Sequence, residues 1–245
     1  CSSSMKSFYM RISTIVLLPL FLGSISGFSA DISKEDFHLY LLVGQSNMAG
    51  RGKVSDADRK PIKRVVMFTK NQSWAPAVEP MHFDKSIAGT GLGRTFGIQI
   101  AETFPEFKIG LIPCAVGGSP IRTWVPGGYH SQTKSHPWDD AITRAKAAMQ
   151  HGTLKGILWH QGESDSNVKD APAYEYKLHD MIARFRKELG APNVPFIAGQ
   201  MGIFAERPLS DAKKQVDKAH RGLPAKVHNT AFVSAEGLAH KGDNV

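Results

Sequence analysis

FHLYLLVGQSNMAGRG, residues 37–52, falls into two halves of different chemistry. The first eight residues are apolar except for His38 and show no strict alternation, which is the pattern of a strand buried on both faces. The second half is a glycine-rich polar cluster that ends the strand and turns into a helix, with Ser46 held between Gln45 and Asn47. A strand buried on both faces needs helices on both sides of its sheet, so the rest of the chain has to supply them.

Five further apolar runs follow, at residues 64–68, 108–118, 155–162, 194–202 and 230–237. Segments with helical spacing lie between them, at 92–104, 138–151, 173–189 and 209–221. In the third, Tyr174, Leu178, Met181, Ile182 and Phe185 share one face, and Gly190 with Pro192 just beyond marks its end. No internal repeat is visible. The order predicts an α/β fold, a three-layer α/β/α sandwich around a parallel sheet. Ligands in such sheets bind outside the carboxyl ends of the strands. Four polar stretches should therefore meet on one rim: GQSNMAGRG (44–52), AVGGSPIRTW (115–124), WHQGESD (159–165) and SAEGLAHKGDNV (234–245).

Composition narrows the possible functions. With 245 residues, 42% of them hydrophobic, the chain suits one α/β domain with a substantial core. The net charge is +8, but the basic residues are scattered and not interleaved with aromatics, so a nucleic-acid partner is not expected. The two cysteines, Cys1 and Cys114, form neither a disulfide framework nor a metal-ligand spacing, and Cys114 reads as an inert residue in an apolar run. Residues 1–30 read as a signal peptide with a short upstream stretch: Lys6 and Arg11, an apolar run at 12–22, then small residues to Ala30. Cleavage fits after Ala30 or near Ser26. This leaves a single domain at 31–245, no stable membrane span, and a secreted or periplasmic location.

The rim residues carry the candidate chemistry. Ser46 is expected at a helix N-terminus, where backbone N–H groups favour a developing negative charge and suit a nucleophile; an N-cap serine is the plainer alternative. Gly117 and Gly118 allow a backbone N–H to approach a bound oxygen, and the Gln161 amide could add a side-chain donor, so that Ser46, a glycine and Gln161 would form an oxyanion hole. Glu163 and Asp165 could be a glycosidase pair, but Glu163 reads better as the residue that orients a neighbour. Trp124 could stack on a sugar or pack in the core, Trp138 and Trp159 favour the core, and Arg122 could contact substrate or brace its loop. The stretch GTGLGRTFG (89–97) precedes a helix but lacks the dinucleotide spacing, so a nucleotide site is a weak reading.

Taken together and in order, GQSNMAGRG, GGSPIRTW and WHQGESD resemble the blocks of the SGNH hydrolase superfamily, in particular carbohydrate esterases of the acetylxylan esterase and sialate O-acetylesterase type. The resemblance implies hydrolysis of acetyl esters on an acetylated carbohydrate with no metal or cofactor. It implies Ser46 as nucleophile, with Gly118 and Gln161 in the oxyanion hole; Gln45, Asn47, Arg122, Trp124 and Glu163 read beside it as substrate contacts or their supports. In that family the base is a histidine three residues after an aspartate. Asp243 matches the aspartate, and the histidine would fall one position past Val245, so this chain is expected to be impaired. His240, three residues before Asp243, and His160 are poor substitutes. A non-catalytic carbohydrate-binding protein of the same fold is the alternative.

Overall fold

The computed structural model describes residues 32–204 and 206–238; the proposed signal peptide, His240 and Asp243 lie outside the described residues. Strand β1 (Phe37–Gly44) is buried along its whole length. Leu39, Leu41 and Val43 point into one hydrophobic cluster, while Tyr40 and Leu42 point into another. Each fully buried leucine there contributes roughly 2 kcal/mol of transfer free energy, which is why an unbroken apolar run belongs at the centre of the sheet.

The other strands are β2 (Val65–Phe68), β3 (Trp74–Pro76), β4 (Lys108–Pro113), β5 (Thr153–His160), β6 (Phe196–Gly199) and β7 (Thr230–Val233). They form one sheet in the order β3-β2-β4-β1-β5-β6-β7. All neighbouring pairs are parallel except β2 with β3. From β1 the chain builds β2 and β3 on one side, returns to lay β4 between β2 and β1, then crosses to build β5, β6 and β7 on the other. The carboxyl end of β1 is thus the switch point, where an open α/β sheet forms its crevice. Helices α1 (Ser46–Ala49) and α2 (Leu92–Thr103) cover one face; α3 (Pro137–Ala148), α4 (Tyr174–Glu188) and α5 (Asp211–Lys226) cover the other. No helix among the described residues is long and apolar enough to cross a membrane.

Three of the differences from the sequence expectation have a visible physical cause. Strand β3 was not expected; Trp74 holds it in place by packing against Phe37 and Phe68, with ring centroids 4.7 and 4.9 Å apart. Strand β4 ends at Pro113, although Cys114 N–H and Val116 N–H still donate to Leu42 O and Gly44 O at 2.8 and 2.9 Å. Helix α5 passes Arg221 and takes Pro224 into its last turn. Its start follows from Ser210, whose hydroxyl accepts from Lys213 N–H at 3.2 Å and caps the helix.

Candidate active site

Three chain ends meet at the carboxyl end of β1. Gly44 has φ 134°, and a Cβ on it would lie 2.2 Å from His160 O, so only glycine lets β1 and β5 approach this closely. Gln45 N–H donates to that same carbonyl at 3.0 Å. The Gln45 side chain is buried, and its Oε1 accepts from Ser164 N–H at 3.3 Å. Ser164 Oγ in turn donates to Gly118 O at 3.0 Å. Asn47 Nδ2 donates to Glu163 Oε1 at 2.8 Å. The GQSN, GGSP and QGES blocks are therefore laced together by hydrogen bonds across the rim.

Ser46 sits half-buried in the middle of this lacing. It is the first residue of α1; the N-cap is Gln45, and no side-chain cap bond is made. The N-cap reading of Ser46 is thus corrected. The helix is also only four residues long, so the dipole at Ser46 is that of a single turn. Ser46 opens on a cleft of about 220 Å³ that is also lined by Gln45, Asn47, Glu163, Gly202, Phe204 and Lys213. Lys213 Nζ donates to Gly202 O at 2.8 Å, placing a cation at the cleft wall. Its position on α5, far along the chain, offered no local signal. Among the described residues no histidine lines this cleft.

Other expected site residues are placed differently. Gly117 N–H donates to Asp84 Oδ2 at 2.7 Å and is occupied, whereas Gly118 N–H has no partner among the described residues. Gln161 is fully buried. Its Nε2 donates to Ser119 O and to Asp165 Oδ2, and its Oε1 accepts from Tyr174. Turning the amide over would set oxygen against oxygen at both acceptors, so this orientation is enforced. Gln161 is thus a clamp on its loop and, in this arrangement, is not a donor to the cleft. Trp124 is 0% exposed, donates to Ser119 Oγ at 3.0 Å and packs edge-on against Trp159. It is a core residue, which corrects the stacking reading; Trp138 is buried as well. Arg122 pairs with Asp170 at 3.6 Å and braces the segment after WHQGESD.

Behind the cleft lies a buried network that the sequence reading missed. Tyr174 OH donates to Gln161 Oε1 at 2.8 Å, accepts from Trp159 Nε1–H at 3.2 Å and pairs with His220 Nε2 at 2.8 Å. Its one proton is used on Gln161, so His220 must supply the proton to the Tyr174 oxygen and is the Nε2–H tautomer. Burial drives the His220 pKa down to about 4, with His160 adding to the fall and Asp217 opposing it, so the ring is neutral. Burial raises the Asp165 pKa and lowers that of His160, where Glu163 opposes the fall. His160 lines an apolar hollow with Leu158, Ile197 and Val233 and is not among the residues that line the Ser46 cleft. Burial pushes the Cys114 thiol up to about 11, so it is inert.

The glycines at 89–97 have a different purpose from phosphate binding. Gly89 N–H donates to Gly50 O at 3.0 Å, and a Cβ on Gly89 would lie 2.1 Å from Gly52 O. This stretch is a backbone brace for the loop that carries Ser46, which explains the glycines without a nucleotide.

A family model for carbohydrate esterases, the sialic acid-specific acetylesterases, matches residues 36–245. The chain belongs to this family. A protein of Arabidopsis thaliana named probable carbohydrate esterase is 31% identical over 228 residues, covering 84% of this chain and 82% of that protein. The X-ray structure of the Arabidopsis protein superposes with a TM-score of 0.74 at 29% identity, over 85% of this chain and 89% of that one. Human sialate O-acetylesterase is 37% identical over 87 residues, covering 29% of this chain and 16% of that protein. A carbohydrate acetylesterase from Xanthomonas citri shares the fold, with a TM-score of 0.61 at 20% identity over 81% of this chain and 49% of that one. The esterase family and the α/β/α sandwich agree with the reading of the three ordered blocks.

Proposed function

We propose that this carbohydrate esterase removes O-acetyl groups from a polysaccharide such as acetylxylan, or from a related acetylated sugar, through an acyl-enzyme on Ser46. The observation that carries the reading is the placement of Ser46 at the switch point, in a cleft, with its hydroxyl not used in capping. Ser46 Oγ attacks the acetyl carbonyl carbon, the bond from that carbon to the sugar oxygen breaks, and the sugar leaves as its free hydroxyl. Water then splits the acyl-enzyme, releasing acetate and restoring Ser46. The Ser46 and Gly118 N–H groups are the donors we assign to the oxyanion. Proton transfer falls, on the family pattern, to a histidine three residues after an aspartate, for which Asp243 is the match. The segment at 1–30 directs the protein to a secreted or periplasmic location in this reading.

In the full-length protein, Ser46→Ala should cut acetate release from acetylated xylan and from 4-nitrophenyl acetate by at least ~10³-fold while leaving the circular dichroism spectrum unchanged. Activity within tenfold of wild type would sink the assignment.

A further inference from the structure

Asp84 lies between β3 and α2, far along the chain from Ser46, and is not among the residues that line the Ser46 cleft. Its side chain is 1% exposed. A buried carboxylate is costly unless it is paired and hydrogen-bonded, and Oδ2 is both: it accepts from Gly117 N–H at 2.7 Å and from Arg51 Nη2 at 3.0 Å. Oδ1 has no hydrogen-bond partner among the described residues.

The two bonds on Oδ2 close a chain of contacts between the nucleophile and the Gly117–Gly118 turn. Ser46 O accepts from Gly50 N–H at 2.9 Å, Gly50 O accepts from Arg51 Nη1 at 2.7 Å, and Arg51 reaches Asp84, which holds Gly117. On the other side of the turn, Ser164 Oγ donates to Gly118 O, and Ser164 N–H is tied to Gln45 Oε1. The peptide that carries the Gly118 N–H lies between these two anchors. The turn is closed by Ser119 N–H donating to Val116 O at 3.1 Å, with Gly118 at φ 84°. A Cβ on Gly117 would lie 2.4 Å from Arg51 Nη2 and 2.7 Å from Asp84 Oδ2, so glycine lets the ion pair come up against the backbone. Two glycines in succession also leave the backbone loose, and the direction of the Gly118 N–H must be fixed from outside. Lys85 and Gln132 also face Gly118, but their bond to each other, at 3.2 Å, is exposed; the buried anchor is Asp84.

We infer that Asp84, locked by Arg51, is a positioning residue for the ester hydrolysis: it holds the Gly118 N–H, relative to Ser46, at the place where the oxyanion forms. The inference rests on the proposed acyl-enzyme on Ser46 with Gly118 as an oxyanion donor. Such donors act by being in place before the charge develops, and a misplacement of about 1 Å costs on the order of 10²-fold in rate. Because Asp84 does not line the cleft, its loss should appear in kcat and not in KM.

The test compares Asp84→Ala and Asp84→Asn with wild type, all as the full-length protein, on acetylated xylan and 4-nitrophenyl acetate. Asparagine keeps an oxygen for Gly117 N–H and Arg51 and sets its amide where Oδ1 has no partner, so kcat should stay within about threefold of wild type. Asp84→Ala should lower kcat at least about tenfold with KM within about threefold. It should also lower the NMR order parameter of the Gly118 amide from about 0.85 to about 0.7 or less. Arg51→Ala, at a side chain that is 15% exposed, should show the same loss in kcat and decides the matter if Asp84→Ala does not fold. The inference is overturned if Asp84→Ala keeps the wild-type kcat, if Asp84→Asn loses as much as Asp84→Ala, or if the loss falls in KM. Ser46→Ala separates this from the functional reading. If that variant retains activity, the nucleophile assignment fails, while the order parameter still decides whether Asp84 holds the turn, and an unchanged value overturns the inference.

Discussion

Tyr174→Phe removes one oxygen atom and disturbs three buried partners. Tyr174 is fully buried, and its hydroxyl serves Gln161 Oε1, Trp159 Nε1–H and His220 Nε2–H. With the oxygen gone, each of these is left with a lost bond in a region that water does not reach. At the low end of about 1 kcal/mol for each buried polar group left unpaired, the variant should lose about 3 kcal/mol of stability. With a urea m-value of ~2–3 kcal/mol/M, the unfolding midpoint should fall by about 1 M or more at an unchanged slope. Equilibrium urea unfolding followed by tryptophan fluorescence measures this directly, because Trp159 is itself one of the partners. A loss under about 1 kcal/mol would refute the view that this hydroxyl is the hub of the network. The same substitution frees Gln161 and loosens residues 161–164, so turnover should fall as well.

Further expectations follow from the same geometry. Burial holds His82 and His220 at a pKa of about 4, below their ordinary 6.5, so the unfolded chain binds more protons than the folded one between these values. Stability should then fall on acidification from pH 6.5 to 4, by about 3 kcal/mol per histidine; Glu79 and Asp165, pushed up by burial, act in the opposite sense. His82→Asn should lower the slope of unfolding free energy against pH near pH 5 by about one proton, or ~1.4 kcal/mol per pH unit, and an unchanged slope in urea titrations would contradict this. Glu163→Ala frees Asn47 beside Ser46 and should reduce kcat on the order of 10–100-fold. Glu163→Gln keeps an acceptor for Asn47 and should restore most of that loss, whereas equal defects in the two variants would rule out orientation through this hydrogen bond.

Local patterns were legible in the sequence because they depend on neighbours along the chain. The unbroken run at Phe37–Gly44 could be satisfied only by burial on both faces, and the helical spacing of Tyr174, Leu178, Met181, Ile182 and Phe185 marked one face of α4. These two facts lead to the layered fold, and the fold places Ser46 on the rim at the end of β1. The three-residue strand β3 carried no such pattern, and its place is set by Trp74 packing against residues distant in sequence.

The direction in which a polar side chain points was a different matter. The WHQGESD block names a glutamine, a glutamate and an aspartate, and nothing in their spacing says which faces the cleft. Tertiary contacts decide it. Tyr174, Ser119 and Asp165 turn Gln161 inward, and Ser119 and Trp159 seal Trp124 in the core. Asn47 draws Glu163 to the cleft. By itself the sequence determined the layered fold and the rim on which the polar blocks meet, since hydrophobic periodicity is a property of consecutive residues. Which side chains on that rim remain free to meet a substrate was decided only in three dimensions, because each buried polar group takes whatever partner the folded chain brings within hydrogen-bond reach.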